Sequence, residues 1–495
     1  GEVGIKRVIN GPMIWSPDSN VLFGPAPEVS NYFCCNGVIP GFSQSGGMGM
    51  LAAEWITKGE TQYDMFAWDL TRFGDWCSDK FTKERVRDQY ANRFKIHFPG
   101  EEREAGRPIR KRPAFQFQKK LGGVFGLNYG WEHPLYFDSD TPDTAGFTRQ
   151  DWWKSVRREA LMLRQNVGII DISNFGKYIC RGKGAYEFLD RIFANKIPEK
   201  VGASCLSPII GKMGGISADA TITKINDETF WVVSSGAAEG FQQRFFNLIE
   251  LDEDTKFTSK TNDYCGFNVA GPKSRDLLQR LSNKDLSKEA WPFFKSGSLA
   301  IAGIECVALR VSFTGDLGWE LYCEEHDQLA LYEVLIKSAS QIGGGPVGSR
   351  ALMSLRLEKG YGSWGREYSP EYWPHEVGLE RLISNKPDFI NKDRVDDVLS
   401  MPAREKLVVL KLNEADVLKS NADALGGEPI FKDGKGVGRV TSGGYGYSVD
   451  MSLALGFVKG LESGEEVDVM VLGKPHRAII LNEPPFDPES SILRG

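Results

Sequence analysis

Asp219 and Glu320 are the two acids of this 495-residue sequence whose surroundings could aim a carboxylate at a ligand. Asp219 follows Gly214-Gly215, where the missing Cβ permits a tight backbone turn, and precedes a strand expected over 221–225. Asn226-Asp227-Glu228 turns that strand back into residues 229–233. An acid at the mouth of a hairpin is held rather than loose, although an Asp that only satisfies turn amides is the competing reading. Glu320 follows the turn Thr314-Gly315-Asp316 and lies in a strand over 319–322, its side chain opposite those of Trp319 and Leu321. A carboxylate there can accept two parallel N–H bonds from an aminopyrimidine edge; a strand Glu facing water is the alternative. Arg350 and Arg356 fall near the ends of a helix expected over 348–361 and closed by Gly360, where arginines commonly form surface ion pairs.

The elements that must position these residues can be read in outline. Residues 41–50, GFSQSGGMGM, form a Gly-rich loop running into an amphipathic helix that ends near Lys58-Gly59. Amides at such a helix start make a positive pole for an anion or an electron-rich ring edge, and a purely structural turn is the other reading. The basic run AGRPIRKRP at 105–113 reads as a solvated linker, with a reach to a phosphate or a partner face as the alternative. Helical spacing covers 151–165 and strands follow at 169–173 and 176–182. Short strands at 407–412, 434–444 and 453–458, with Asp433-Gly434 as a hairpin signal, predict a small antiparallel barrel. Pro484-Pro485 introduces a tail expected to lie across another surface. Residues 5–12 read as a strand entering a turn, as if the chain opened inside a domain. A fragment, a processed product or one chain of a split enzyme is therefore expected.

Composition bounds the function. The length suggests about three domains, drawn at 1–145, 146–392 and 393–495, with residues 138–146 as the first boundary. The 41% apolar content, with 12 Trp and 29 Phe, supports large cores rather than disorder. A net charge of −6 and no long basic run give nucleic acid no footing. No apolar run approaches the roughly 18–20 residues of a membrane span. The eight cysteines lack CxxC pairing and no histidines pair at i, i+4, so free thiols in a reducing compartment are expected, with no metal. The compartment expected is the cytoplasm, or the mitochondrial matrix in a eukaryote.

Four stretches of the first third, INGPMIWSPDSNVLFGPAPE, GFSQSGGMGMLAAEWITKGE, AGRPIRKRP and VFGLNYGWEHPLYF, resemble the rear of the flavin domain of the dimethylglycine dehydrogenase family and its sarcosine-oxidising relatives. That resemblance implies FAD, with Ser45, Gly46, Gly47, Met48 and Gly49 as candidate contacts. The family's G-x-G-x-x-G fingerprint has no counterpart in this sequence, so redox activity implies a partner chain carrying the dinucleotide-binding half. VGIIDISNFGKYICRGKGAYEFLDRIFANKIP, GGISADATI and GVGRVTSGGYGYSVDMSLALGFVK resemble the aminomethyltransferase fold of the glycine-cleavage T-protein and its C-terminal barrel. The fold class implied is α+β: a partial FAD-dependent amine oxidase domain, a folate-binding aminomethyltransferase fold and a small β-barrel.

Carried over by motif, the resemblance implies Asp219 beside the reacting nitrogens of tetrahydrofolate, Glu320 at the pterin edge and Arg350 in the pocket. Phe313 stands where the family usually has Tyr and keeps an aromatic wall without the hydroxyl. The run WGREYSPEYWPHEVGLE also matches, giving Tyr361 and Trp364 as further walls. The activity implied is folate-dependent one-carbon transfer coupled to oxidative demethylation of an N-methylated glycine, with an electron-accepting flavoprotein as a partner. A stand-alone folate-dependent demethylase or aminomethyltransferase without flavin chemistry, and a non-catalytic folate-binding subunit, are the alternatives.

Overall fold

The computed structural model describes residues 4–27 and 29–495. The chain separates into two units, Gly1–Ile96 with Arg103–Ile109, and His97–Glu102 with Arg110–Gly495.

In the first unit the helix Gly41–Lys58 sets Met48 and Trp55 against Val21, Phe23 and Met65. The Phe23 ring meets those of Phe33 and Trp55 at 5.1 and 6.1 Å. Two expectations fail here. The glycines of 41–50 belong to the helix itself, which already begins at Gly41 and ends at Gly59 in the left-handed conformation. Residues 5–12 are not a strand: Ile5, Val8 and Ile9 are exposed on irregular chain. Hydrophobic β-branched residues suggested pairing there, yet no described strand pairs with them.

The second unit is built on two sheets. One has five strands in the order Lys256–Ser259, Gly176–Arg181, Thr229–Ser234, Ile216–Asn226, Ser204–Ile210. The other has six, Ser296–Ile301, Ile304–Leu309, Gly318–Glu324, Tyr264–Ala270, Gly168–Asp171 and the parallel strand Gly345–Val347. Ile170, Ile172, Leu309 and Tyr322 from the second sheet share one apolar cluster with Trp231 and Val233 from the first. The sheets therefore face each other across that layer. On the far side of the six-stranded sheet, Phe267, Val269, Trp319 and Leu321 pack on Leu331, Tyr332 and Leu335 of the helix Gln328–Ser340. Alternation along one strand thus feeds two cores. At the C-terminus six strands close a barrel around Leu410, Ile430, Val440, Val469 and Ile480, as the turn signals predicted.

The basic segment is no solvated linker beyond Ile109. Arg110 and Arg112 stack on the Trp131 ring at 3.7 and 3.6 Å. Arg112 is buried, donating to the Asn262 carbonyl at 3.0 Å and to Glu325 Oε1 at 3.1 Å. These partners are remote in sequence, which is why charge count alone misjudged the segment.

Arg164, from the helix Trp153–Gln165, ties the second unit together. It pairs with Asp316 in the 314–316 turn, donates to the Thr314 carbonyl at 2.9 Å and pairs with Glu358 Oε2 at 2.7 Å. Its guanidinium lies 3.5 Å from the centre of the Phe486 ring. Asp316 and Glu358 are fully buried. Replacing Arg164 by Met leaves two interior carboxylates without their counter-charge, a change that costs about 3–5 kcal/mol when one partner of a buried pair is lost. Urea unfolding of Arg164→Met is expected to show that loss, while Arg158→Met, at a largely exposed arginine, shifts stability by less than about 1 kcal/mol.

Candidate functional site

Asp219 sits inside a strand, not in the preceding turn. The strand runs Ile216–Asn226, and the tight approach that needs glycine lies just before it. A Cβ on Gly215 would fall 1.8 Å from the Pro370 carbonyl oxygen. Cross-strand register then fixes where Asp219 points. Thr221 is opposite Val233 and Thr223 opposite Trp231. Asp219 shares their face by the two-residue alternation, so it faces the layer between the sheets.

Glu320 approaches the same layer from the other sheet. It is paired with Asn268 on one side and Leu309 on the other, and Tyr322, two residues on, points the same way. The Tyr322 hydroxyl donates to Glu320 Oε2 at 2.7 Å, and its ring meets Trp231 at 5.6 Å between centroids. Asp219 and Glu320 thus stand on facing surfaces, with the Trp231–Tyr322 contact alongside.

Both carboxyls are starved of solvation. Burial raises Asp219 to about 6, opposed only by its own backbone N–H. Asp219 nonetheless keeps some accessible surface, which describes a group at the bottom of a recess. Burial raises Glu320 to about 7, opposed by the Tyr322 hydrogen bond. Among the described residues no ion pair relieves either acid, in contrast to Asp316 and Glu358. A carboxylate that is desolvated and unpaired gains when a cationic or N–H-rich group arrives.

The aromatic candidates come from different segments. Phe313 and Tyr361 are stacked, centroids 6.0 Å apart and planes inclined by 20°, and both keep partial exposure. The hydroxyl of Ser312, one residue before Phe313, lies 3.5 Å from Oδ1 of Asn268, which is paired with Glu320 across the strands. Trp364 donates from Nε1 to the Ser217 carbonyl at 2.9 Å, two residues before Asp219. Arg350 is engaged elsewhere. It forms a bidentate pair with Asp143 at 2.6 and 3.2 Å and lies over Trp152. Arg356 is fully buried, donating to Glu367 Oε2 at 2.8 Å and the Tyr361 carbonyl at 2.9 Å.

Sequence reasoning passed over Tyr322 and Asn268. Tyr322 carried a usable signal, because a hydroxyl two residues from a strand acid lies on the acid's own face. Asn268 carried none, since cross-strand register is invisible locally.

Ser45, Gly46, Gly47 and Gly49 line an exposed flank of the first unit's helix, and Met48 turns inward. A Cβ on Gly46, Gly47 or Gly49 would meet nothing within 4 Å. Each glycine costs a helix interior about 1 kcal/mol relative to alanine, so the flank is open to the close approach of another group. A separate recess of this unit, lined by Met13, Trp15, Thr82, Lys83, Val86 and Arg87, contains no acid. Among the described residues no cluster of His, Cys, Asp or Glu could hold a metal, and no helix is long and apolar enough to cross a membrane.

Comparison with known proteins follows this division. Residues 114–386 match the GCVT N-terminal domain, residues 406–487 the glycine cleavage T-protein C-terminal barrel domain, and residues 58–111 the FAD dependent oxidoreductase central domain. Mitochondrial dimethylglycine dehydrogenase of Mus musculus is 35% identical over 97% of this chain and 56% of its own length. Mitochondrial sarcosine dehydrogenase of the same species is 26% identical over 100% of this chain and 59% of its own. The chain therefore spans about half the length of the curated relatives it matches. The crystal structure of glycine cleavage system aminomethyltransferase T from Bartonella henselae superposes with a TM-score of 0.66 at 22% identity, covering 77% of this chain and 99% of that one. That likeness is one of fold; the match over residues 114–386, more than half of the chain, makes the chain a member of the GCVT N-terminal domain family, with similarity along its length to dimethylglycine and sarcosine dehydrogenases.

Proposed function

We propose that the second unit transfers a one-carbon unit from an N-methylated glycine, oxidised to its methylene-iminium form, to tetrahydrofolate. The observation that carries this reading is the pair of desolvated carboxyls, without ion-pair partners among the described residues, on facing sheet surfaces. Glu320 is suited to accept the N–H groups of an aminopyrimidine edge, and Phe313 and Tyr361 to flank a flat ring. Trp364 would close the wall beside Asp219, while Arg350, held by Asp143, would shape the pocket rather than contact the ligand.

Asp219 would face the reacting nitrogens. As one folate nitrogen bonds to the iminium carbon, that nitrogen becomes cationic, and the Asp219 carboxylate stabilises the charge. The second nitrogen then displaces the amine from the same carbon. The two folate N–H protons are lost: one leaves with the demethylated amine and the other passes through Asp219 to solvent. The products are 5,10-methylenetetrahydrofolate and the amine, and no electrons move in this half. Oxidation of the N-methyl group belongs to flavin chemistry, for which Ser45, Gly46, Gly47, Met48 and Gly49 would supply one flank of the FAD site. A partner chain would supply the dinucleotide-binding half, and a flavoprotein would accept the electrons. The mitochondrial names of the relatives favour the matrix.

Asp219→Asn is expected to lower one-carbon transfer from a labelled methylene-amine donor to tetrahydrofolate by about 10²-fold or more; full turnover would refute the role. Glu320 gives a second test. Between its ordinary 4.5 and about 7 the unfolded carboxyl has lost its proton while the folded one keeps it. The folded state then binds more protons, so stability falls as pH rises through this window. Glu320→Gln is expected to flatten that slope in urea titrations at pH 4.5–7 and to weaken tetrahydrofolate binding by about tenfold or more, as for a lost charge-assisted hydrogen bond.

A further inference from the structure

The tail that begins at Pro484-Pro485 lies along the three residues leading into Tyr361. Phe486 N donates to the Glu358 carbonyl at 3.0 Å. Lys359 Nζ bonds to the Asp487 carbonyl and lies 3.3 Å from Asp487 Oδ2. A Cβ on Gly360, left-handed at φ +66°, would fall 3.2 Å from Pro484 Cγ. Lys359 also reaches the segment that carries the other ring of the stacked pair. Its stem crosses Gly315, where a Cβ would fall 2.9 Å from Cδ and 3.0 Å from Cγ. Phe313 lies two residues before Gly315, and Tyr361 two residues after Lys359. One lysine thus lies across both approaches to the pair, and the tail holds its charged end.

The Lys359 and Asp487 side chains are each 2% exposed, so loss of either leaves the other's charge buried without its counter-charge. Asp487 is fixed in turn by the tail. Its Oδ1 accepts from Ser491 N and Ser491 Oγ, each at 2.8 Å, and its Oδ2 from Leu493 N at 3.2 Å. Further on, the Leu493 carbonyl accepts from Arg310 Nη2 at 2.9 Å, while Arg310 Nη1 donates to the Gly318 carbonyl at 3.3 Å. Gly318 opens the strand that carries Glu320. On the reading given above, in which Phe313 and Tyr361 flank the flat ring of the folate, we propose that Asp487 is a positioning residue. Through Lys359 it straps together the two segments that bear the rings and keeps the pair in stacking register.

The test compares the KM for tetrahydrofolate with kcat in one-carbon transfer by the full chain, for wild type, Asp487→Asn, Lys359→Met, the double variant and Glu489→Gln. Asp487 has φ 44°, a left-handed backbone that Asn tolerates as Asp does, so Asp487→Asn removes the charge and keeps the turn. Asp487→Asn and Lys359→Met are each expected to raise the KM by about tenfold, with kcat within about threefold of wild type, the pattern of lost binding. Because the two residues form one link, the double variant is expected within about twofold of the worse single variant. Glu489→Gln, at an exposed acid of the same tail, is expected to keep the wild-type KM. A KM is set by the folded molecules, so it remains readable if a variant is less stable. A wild-type KM in Asp487→Asn, a loss confined to kcat, a raised KM in Glu489→Gln, or effects that multiply in the double variant overturn the proposal. A Tyr361→Leu protein that keeps the wild-type KM overturns instead the reading of the ring pair on which it rests.

Discussion

The interior ion cluster around Arg164 is the interaction on which the second unit depends. One guanidinium neutralises two carboxylates that have no access to solvent, and the groups involved come from separate parts of the chain. Ser448 adds its backbone N–H to Glu358 Oε1 at 2.9 Å, and Thr314 donates to Asp316 Oδ2 at 2.8 Å. The helix Trp153–Gln165, the helix Ser349–Glu358, the turn at 314–316 and the turn at Ser448 between two barrel strands thus share one electrostatic knot. Ions removed from water hold only where geometry and hydrogen bonds offset the desolvation. Because the knot includes the turn that leads into Gly318–Glu324, it also fixes the strand that carries Glu320.

The site itself is arranged on the opposite principle. The carboxylates of the knot share a guanidinium, whereas Glu320 is met by a tyrosine hydroxyl and Asp219 by its own amide. Leaving acids uncompensated in a poorly hydrated layer lowers the stability of the empty protein. It also stores the preference for a ligand that brings N–H groups or positive charge. On the proposed reading, function resides in the contrast between a satisfied ion cluster and an unsatisfied pair.

Much of this was legible in the sequence, for definable reasons. The Asp433-Gly434 signal and the alternation after it announced the barrel, and apolar spacing over 151–165 announced a helix that forms at Trp153–Gln165. The alternation around Glu320 was correct because the strand is regular. The glycine run at 46–49 was misread as a loop, since helix propensity argues against three glycines in four residues while the surrounding apolar residues favour the helix. Asp219 was placed at a turn mouth because Gly-Gly marked the turn, yet the strand starts immediately after it. Asn268 could not be found from local pattern at all. Its relation to Glu320 exists only through cross-strand register.

The passage of the Gly215 backbone against Pro370 has a mechanical consequence. Where main chain rests on main chain there is no rotamer to turn and no side chain to yield, so the start of the Asp219 strand is stiff. The ring pair Phe313 and Tyr361 keeps partial exposure, which leaves it freedom to adjust. On the proposed reading, accommodation of ligands of differing bulk falls to the aromatic pair, while the acid at 219 stays as the fixed anvil.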